Sequence, residues 1–153
     1  MKIQLTIDQP ARDGYVYASP LNPDKNIAEN FLDLEKFAHA CQCSHIYAPE
    51  IIDALTFSDI PAHLGKWANL LEPNGKILVG GTDAYLLAKS IISREITMGQ
   101  INTLLFNRPY FIRTISSIEY IKNLFLQMGL TISNIAIDYS VSSFIVEATK
   151  TNV

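Results

Sequence analysis

The sequence predicts one α/β domain built on a mostly parallel sheet. Three observations predict it. From residue 44 onward, short β-branched runs alternate with segments of helical periodicity, the pattern of parallel strands joined by crossover helices. Two more β-rich runs, Leu130 to Asp138 and Ser143 to Thr149, are separated by only Tyr139 to Ser142, a spacing that suits an antiparallel hairpin. A length of 153 residues falls within the range of a single hydrophobic core.

Taken in order, Lys2 to Ile7 alternates apolar and polar residues as a half-buried strand does, and Asp8-Gln9-Pro10 then breaks it. Gly14 restarts an apolar run, Tyr15 to Ala18, which ends at Ser19-Pro20. From Asp24 to Ala40 the apolar positions Ile27, Phe31, Leu34 and Phe37 follow a helical rhythm, with a brief strand over 26–30 as the alternative. Ser44 to Ala48 reads as a strand halted by Pro49, and Ile51, Ile52 and Leu55 as a helical turn. Ser58 is placed to cap a helix with Pro61 in its first turn and Leu64, Trp67, Leu70 and Leu71 on its buried face. Pro73-Asn74-Gly75 should stop that helix, and Lys76 to Val79 should form a strand closed by Gly80-Gly81. Thr82 or Asp83 can cap a helix reaching Ile92, and Thr97 to Phe106 reads as a further short helix before an irregular stretch from Arg108 to Arg113. Thr114, Ser116 or Ser117 can start the last helix, whose face is Ile118, Ile121, Leu124, Phe125 and Met128 and whose stop is Gly129.

Composition narrows the function classes. A net charge of −3 with no cluster of Lys and Arg leaves no electrostatic footprint for nucleic acid. No apolar run approaches the ~18 residues of a membrane span and no signal segment opens the chain, so the expected compartment is the cytoplasm. Charged residues make up only 18% against a usual ~25%, which suits a homo-oligomer that covers part of its surface. Cys41 and Cys43 lie two apart, too awkward for a disulfide, and are expected as free thiols. They alternate with His39 and His45, but along a strand four such side chains span ~20 Å and cannot close a tetrahedral metal site.

Several strings carry a family resemblance. Ile46-Tyr47-Ala48-Pro49-Glu50-Ile51-Ile52-Asp53-Ala54-Leu55 is similar to the fourth-strand string Y-A-S-H-V-L-E-H-L of class I S-adenosylmethionine-dependent methyltransferases. Trp67 to Ile77 resembles the W-x-x-v-L-k-P-G-G-x-l string that precedes that family's fifth strand, and Ile118 to Gly129 with Phe144 to Ala148 resembles its closing helix and last strand. The likeness spans about residues 44 to 150 and is to the short, type 11-like branch. It implies a Rossmann-like sheet, mostly parallel with a C-terminal antiparallel hairpin and truncated on its N-terminal side.

The resemblance also implies a site. Leu5-Thr6-Ile7-Asp8 stands where the family has L-G-C-G, and Gly14 to Ser19 stands where it has G-Y-v-n-v-D. Asp8, Ser19, Tyr47 and Ala48 would then contact S-adenosylmethionine, while Glu50 and Asp53, just past a strand's carboxyl end, would be the catalytic carboxylates acting on a small molecule. The same two acids also read as solvated charges at a helix start. Thr6 and Asp8 replace loop glycines that let backbone N–H groups approach a ligand, and Asp8 would face the cofactor's carboxylate. Ser19 replaces the acid that would accept from both ribose hydroxyls. Weak or absent cofactor binding is therefore expected, with a non-catalytic partner-binding or oligomeric module as the alternative and a cleft for a cationic or neutral small molecule as a third reading. Gly80-Gly81-Thr82-Asp83 could line the cleft or serve as a turn and cap, Trp67 fits the core, and Tyr85, Arg108, Tyr110 and Arg113 are candidate substrate contacts.

Overall fold

The computed structural model describes residues 1–7, 9–19, 32–106 and 112–151. β1 is Lys2–Leu5, β2 Val16–Ala18, β3 Cys43–Ala48, β4 Leu71–Thr82, β5 Leu130–Asp138 and β6 Ser143–Lys150. They form one sheet in the order β2-β1-β3-β4-β6-β5. The first four strands run parallel, while β6 lies antiparallel to β4 and β5 antiparallel to β6. The helices are α1 (Ile60–Leu70), α2 (Ala84–Ile92), α3 (Met98–Phe106) and α4 (Ile118–Gln127).

Register explains the core. Ile3, Ile46, Ile77 and Ala148 lie opposite one another across four strands, and Ala48, Val79 and Val146 form the next row. All seven are buried to 1% exposure or less. α1 packs on β4 and α4 packs on β5 and β6, bringing Leu64, Trp67, Ile121 and Phe125 onto these rows. Trp67 is fully inside and donates its indole N–H to the Leu32 carbonyl, 3.1 Å away, so its polar handle is satisfied.

The predicted caps of the later helices are in place. Asp83 accepts from Leu86 N–H at 2.9 Å at the start of α2, and Ser117 accepts from Tyr120 N–H at 3.2 Å at the start of α4. Gly129, with φ of +76°, follows α4 in the left-handed conformation that ends helices. Three expectations need correction. Ser58 sits inside a 3₁₀ turn, Phe57–Asp59, and the residue before α1 is Asp59, whose side chain makes no capping bond. Pro73-Asn74-Gly75 does not separate helix from strand, because β4 already begins at Leu71 and absorbs these residues in a register shift against β3, with Asn74 at φ 63°. Gly80-Gly81 is not a turn, since both residues belong to β4. Of the helix read over 24–40, residues 24–31 lie outside the described residues, and the remainder holds only a 3₁₀ turn at Leu34–Lys36.

The β1–β2 connection sets the fold's character. A parallel crossover usually needs a dozen or more residues and a helix. Here it spans residues 6–15, and its described residues contain no helix. The polar side of β1 makes this possible. Gln4, 0% exposed, donates to the Pro10 carbonyl at 3.0 Å and accepts from Arg12 N–H at 2.8 Å, so the connection lies down on the sheet.

Candidate functional site

Open parallel sheets place ligands beyond the carboxyl ends of their strands. In this chain that end is formed by Thr6 and Ile7 after β1, Ser19 after β2, Pro49 to Leu55 after β3, and Thr82-Asp83 at the end of β4. The 3₁₀ turn Ile51–Ala54 carries Asp53 inward to 1% exposure. Its two carboxylate oxygens accept from Thr82 N–H and from the Thr82 hydroxyl, each at 2.7 Å. Its backbone carbonyl accepts from Arg113 N–H at 2.7 Å. Asp53 thus joins the β3 loop, the end of β4 and the segment entering α4.

The two glycines are explained by this join. A Cβ on Gly81 would sit 2.6 Å from Asp53 Oδ1, and one on Gly80 would sit 2.2 Å from the Pro49 carbonyl oxygen and 2.5 Å from that of Phe144. Close approach excludes side chains there. Asp83 adds a second join, because its other oxygen accepts from Ile118 N–H at 2.9 Å while its own N–H donates to the Ser142 carbonyl at 2.8 Å. Beside it, the Thr114 and Ser116 hydroxyls are buried without a hydrogen-bond partner among the described residues.

The side expected to hold a cofactor is latched by the protein's own groups. Thr6 Oγ1 accepts from Gln9 N–H at 3.1 Å, a side-chain turn that closes the loop on itself. Gln9 then reaches across to donate to Glu50 Oε1 at 2.9 Å, and its carbonyl accepts from the Tyr17 hydroxyl at 3.2 Å. Ser19 is fully buried and its hydroxyl donates to the Ile7 carbonyl at 3.0 Å, so it is turned inward to the β1 loop. Ala48 is fully buried in β3. Tyr47 is half-buried, with the Arg12 guanidinium 4.1 Å from its ring centroid and Tyr15 edge-on at 6.4 Å. Asp8 lies outside the described residues. The residues present do not fit S-adenosylmethionine. A ribose needs an outward acceptor where Ser19 points inward, and the loop whose backbone would meet the ligand is tied to Glu50 instead.

Of the remaining candidates, Tyr85 is 76% exposed on α2 and Arg113 is exposed, whereas Arg108 and Tyr110 lie outside the described residues. Cys41 is exposed and Cys43 buried, both free, and burial pushes the Cys43 thiol up. No group of three or more His, Cys, Asp or Glu among the described residues could hold a metal ion. No helix among them is long and apolar enough to cross a membrane. An open cavity of about 520 Å³, lined by Glu35, His39, Cys41, Asn69 and Lys150 among others, lies at the opposite end of the sheet, where β3 and β4 begin. Burial lowers His45 and His63 below the usual imidazole value, helped at His45 by Lys2 and Lys76. Sequence reasoning missed the joining roles of Gln4 and Gln9, and read Thr82 as a cap or cleft-lining residue rather than as the partner of Asp53. The one signal for Gln4 and Gln9 was the short spacing between the first two strands.

Sheet order, parallel core and closing antiparallel pair define the class I methyltransferase fold, Rossmann-like in its strand arrangement. Solved structures agree. The chain is similar to a possible exported protein from Bordetella parapertussis, with a TM-score of 0.59 and 15% identity over 78% of this chain and 43% of that one. It is similar to a structure from Haloferax volcanii in which the Trm112 methyltransferase activator is bound to a methyltransferase, with a TM-score of 0.52 and 10% identity over 76% of this chain and 57% of that one. Magnesium protoporphyrin IX methyltransferase from Synechocystis, solved with bound S-adenosylhomocysteine, gives a TM-score of 0.50 and 12% identity over 71% and 45%. The matched part is thus 43 to 57% of the length of these structures. No family model matches the sequence, and no curated protein matches it.

Proposed function

We propose that this chain is a non-catalytic relative of the methyltransferases, working in the cytoplasm as a self-associating or partner-binding module. The observation that carries this reading is the latch at the cofactor end: Thr6 to Gln9, Gln9 to Glu50, and Ser19 to Ile7. The last of these bonds turns inward the hydroxyl that the resemblance puts at the ribose, and the other two tie the loop after β1 to itself and to Glu50. The lean charge content supports association, and the acidic balance disfavours nucleic acid. The activator-bound methyltransferase from Haloferax volcanii is a precedent for this fold working through a protein partner.

A second reading rests on Glu50, a half-buried carboxylate just past β3. In it the chain methylates a small molecule, with Glu50 as the base beside the acceptor and Asp53 holding the end of β4 in position. Asp8, Ser19, Tyr47 and Ala48 would be the cofactor side, reached only after the Gln9 latch opens. Isothermal titration with S-adenosylmethionine and S-adenosylhomocysteine at millimolar concentration separates the two. The non-catalytic reading expects no saturable heat from the wild type or from Gln9→Ala. Stoichiometric binding by the wild type overturns it.

A further inference from the structure

Among the described residues the sheet ends on one side at β5, which pairs with β6 along one flank only. Exposed edges are usually blunted by shortness, by Lys or Pro, or by a covering element, because a row of unpaired N–H and C=O groups invites another strand. Among the described residues β5 has no Lys, Pro or covering element, and its one irregularity is a register shift against β6 between Ile132 and Asn134. It is nine residues long, Leu130 to Asp138, and contains no Pro, Gly or basic residue and no charge before Asp138. Every residue from Ser133 to Val141 is exposed. The exposed groups are apolar and β-prone: Ile135 at 37%, Ile137 at 36%, Val141 at 41% and Tyr139 at 70%. Leu126, on the helix α4 that packs over β5, is 54% exposed.

We propose that β5 is a dimer interface, pairing antiparallel with β5 of a second copy so that two six-stranded sheets become one of twelve. This names the surface behind the self-associating role proposed above and rests on that reading. Three observations select a second copy. First, the opposite edge of the described sheet is β2, only three residues long, so a head-to-tail contact of β5 with the other edge has almost nothing to pair with. A closed two-fold dimer remains. Second, antiparallel self-pairing centred on Asn134, the middle of the strand, sets the two Asp138 carboxylates about 25 Å apart, well beyond the ~8 Å screening length. The uncharged stretch Thr131 to Ile137 therefore meets itself, and each Asp138 lies opposite Leu130 of the other copy, without like-charge cost. Third, the edge is about 30 Å long, and Leu126 of α4, the helix packed on β5, is exposed as well.

Sedimentation velocity and light scattering on the wild type, Ile135→Lys and Asn134→Lys test it, with circular dichroism and melting curves establishing that each variant is folded. Ile92→Lys on α2, where the wild-type side chain is 82% exposed and remote in sequence from the edge, serves as the control. The wild type should be a dimer at micromolar concentration. Each β5 lysine enters the two-fold interface twice and should weaken the dimer about tenfold or more, while Ile92→Lys leaves it unchanged. Asn134 is exposed, so Asn134→Lys remains informative even if Ile135→Lys fails to fold. In a Cys41→Ser background, Asn134→Cys should form a disulfide between copies under mild oxidation. A monomeric wild type, or a dimer that survives both lysines, overturns the proposal. So does a dimer broken by Ile92→Lys. A dimer assembled on another face leaves the non-catalytic reading intact, whereas saturable cofactor binding removes that reading whatever the oligomeric state.

Discussion

Replacing Asp53 tests whether the carboxylate acts as a structural join. In Asp53→Ala, two hydrogen bonds to a buried carboxylate disappear, and the Thr82 N–H and hydroxyl are left without that acceptor. Bonds to a charged group contribute roughly 1.5–3 kcal/mol each, so the loss should be about 3–6 kcal/mol. For a domain of this size each kcal/mol moves Tm by about 2–4 °C, giving a fall of about 6–24 °C. Asp53→Asn is the informative contrast. Its carbonyl can still accept from Thr82 N–H, and its amide can donate to the Thr82 hydroxyl, which also accepts. The expected cost is about 1 kcal/mol. Thr82→Val keeps the backbone bond and removes the hydroxyl one, so it should fall between the two. Urea denaturation followed by circular dichroism gives each value, and the midpoint should move with an unchanged slope. If Asp53→Ala and Asp53→Asn both cost less than about 1 kcal/mol, the joining role is refuted.

Other substitutions probe the same end of the sheet and the termini of the helices. Gly80→Ala should cost about 3 kcal/mol, because its Cβ meets two backbone carbonyls; Gly129→Ala, open but at positive φ, should cost only about 1 kcal/mol, and equal melting temperatures for the two would refute the close-approach argument. Ser117→Ala removes the cap of α4 and should cost about 1 kcal/mol in the same denaturation assay. Both His45 and His63 have folded-state pKa values lowered by burial, so the unfolded chain binds more protons just below its own value near 6.5. Stability should therefore be full above about pH 7, decline as pH falls through 6.5 to the lowered folded values, and then level. His63→Gln should flatten part of that decline in melting curves; an identical pH profile would count against the assignment.

What was legible in the sequence depended on locality. Asp83, Ser117 and Gly129 act on the helix next to them, and each could be placed from its neighbours alone. The alternation of Ile3, Leu5, Ile46 and Ala48 gave the buried rows because period-two patterning is a property of one strand. The errors came where a distant element decided the outcome. Pro73-Asn74-Gly75 has the chemistry of a helix stop, yet β3 runs close enough to pair with Leu71 and with Lys76, so the strand takes in the turn as an irregularity. Gly80-Gly81 has the chemistry of a turn, yet the constraint is the approach of Pro49 and Asp53 from the loop after β3 and of Phe144 from β6.

The cofactor end shows why a polar pattern is the harder one to read. Lys2, Gln4 and Thr6 alternate with apolar residues as a solvent-facing row would, but only Lys2 is exposed, while Gln4 and Thr6 are buried to 1% or less. Alternation distinguishes one face from the other without saying what covers either. The deciding fact is a length: a connection of residues 6–15 leaves no room for the usual crossover helix, so the chain must lie flat on that face and satisfy its backbone from the side chains beneath. Gln4 and Thr6 supply those bonds, and Ser19, just after β2, does the same for Ile7. The departures from the glycine-rich loop that the resemblance implies are therefore more than subtractions. Thr6 and Ser19 each contribute a hydroxyl that the flattened connection uses, so the residues that depart from a cofactor loop are the same ones that hold this loop closed.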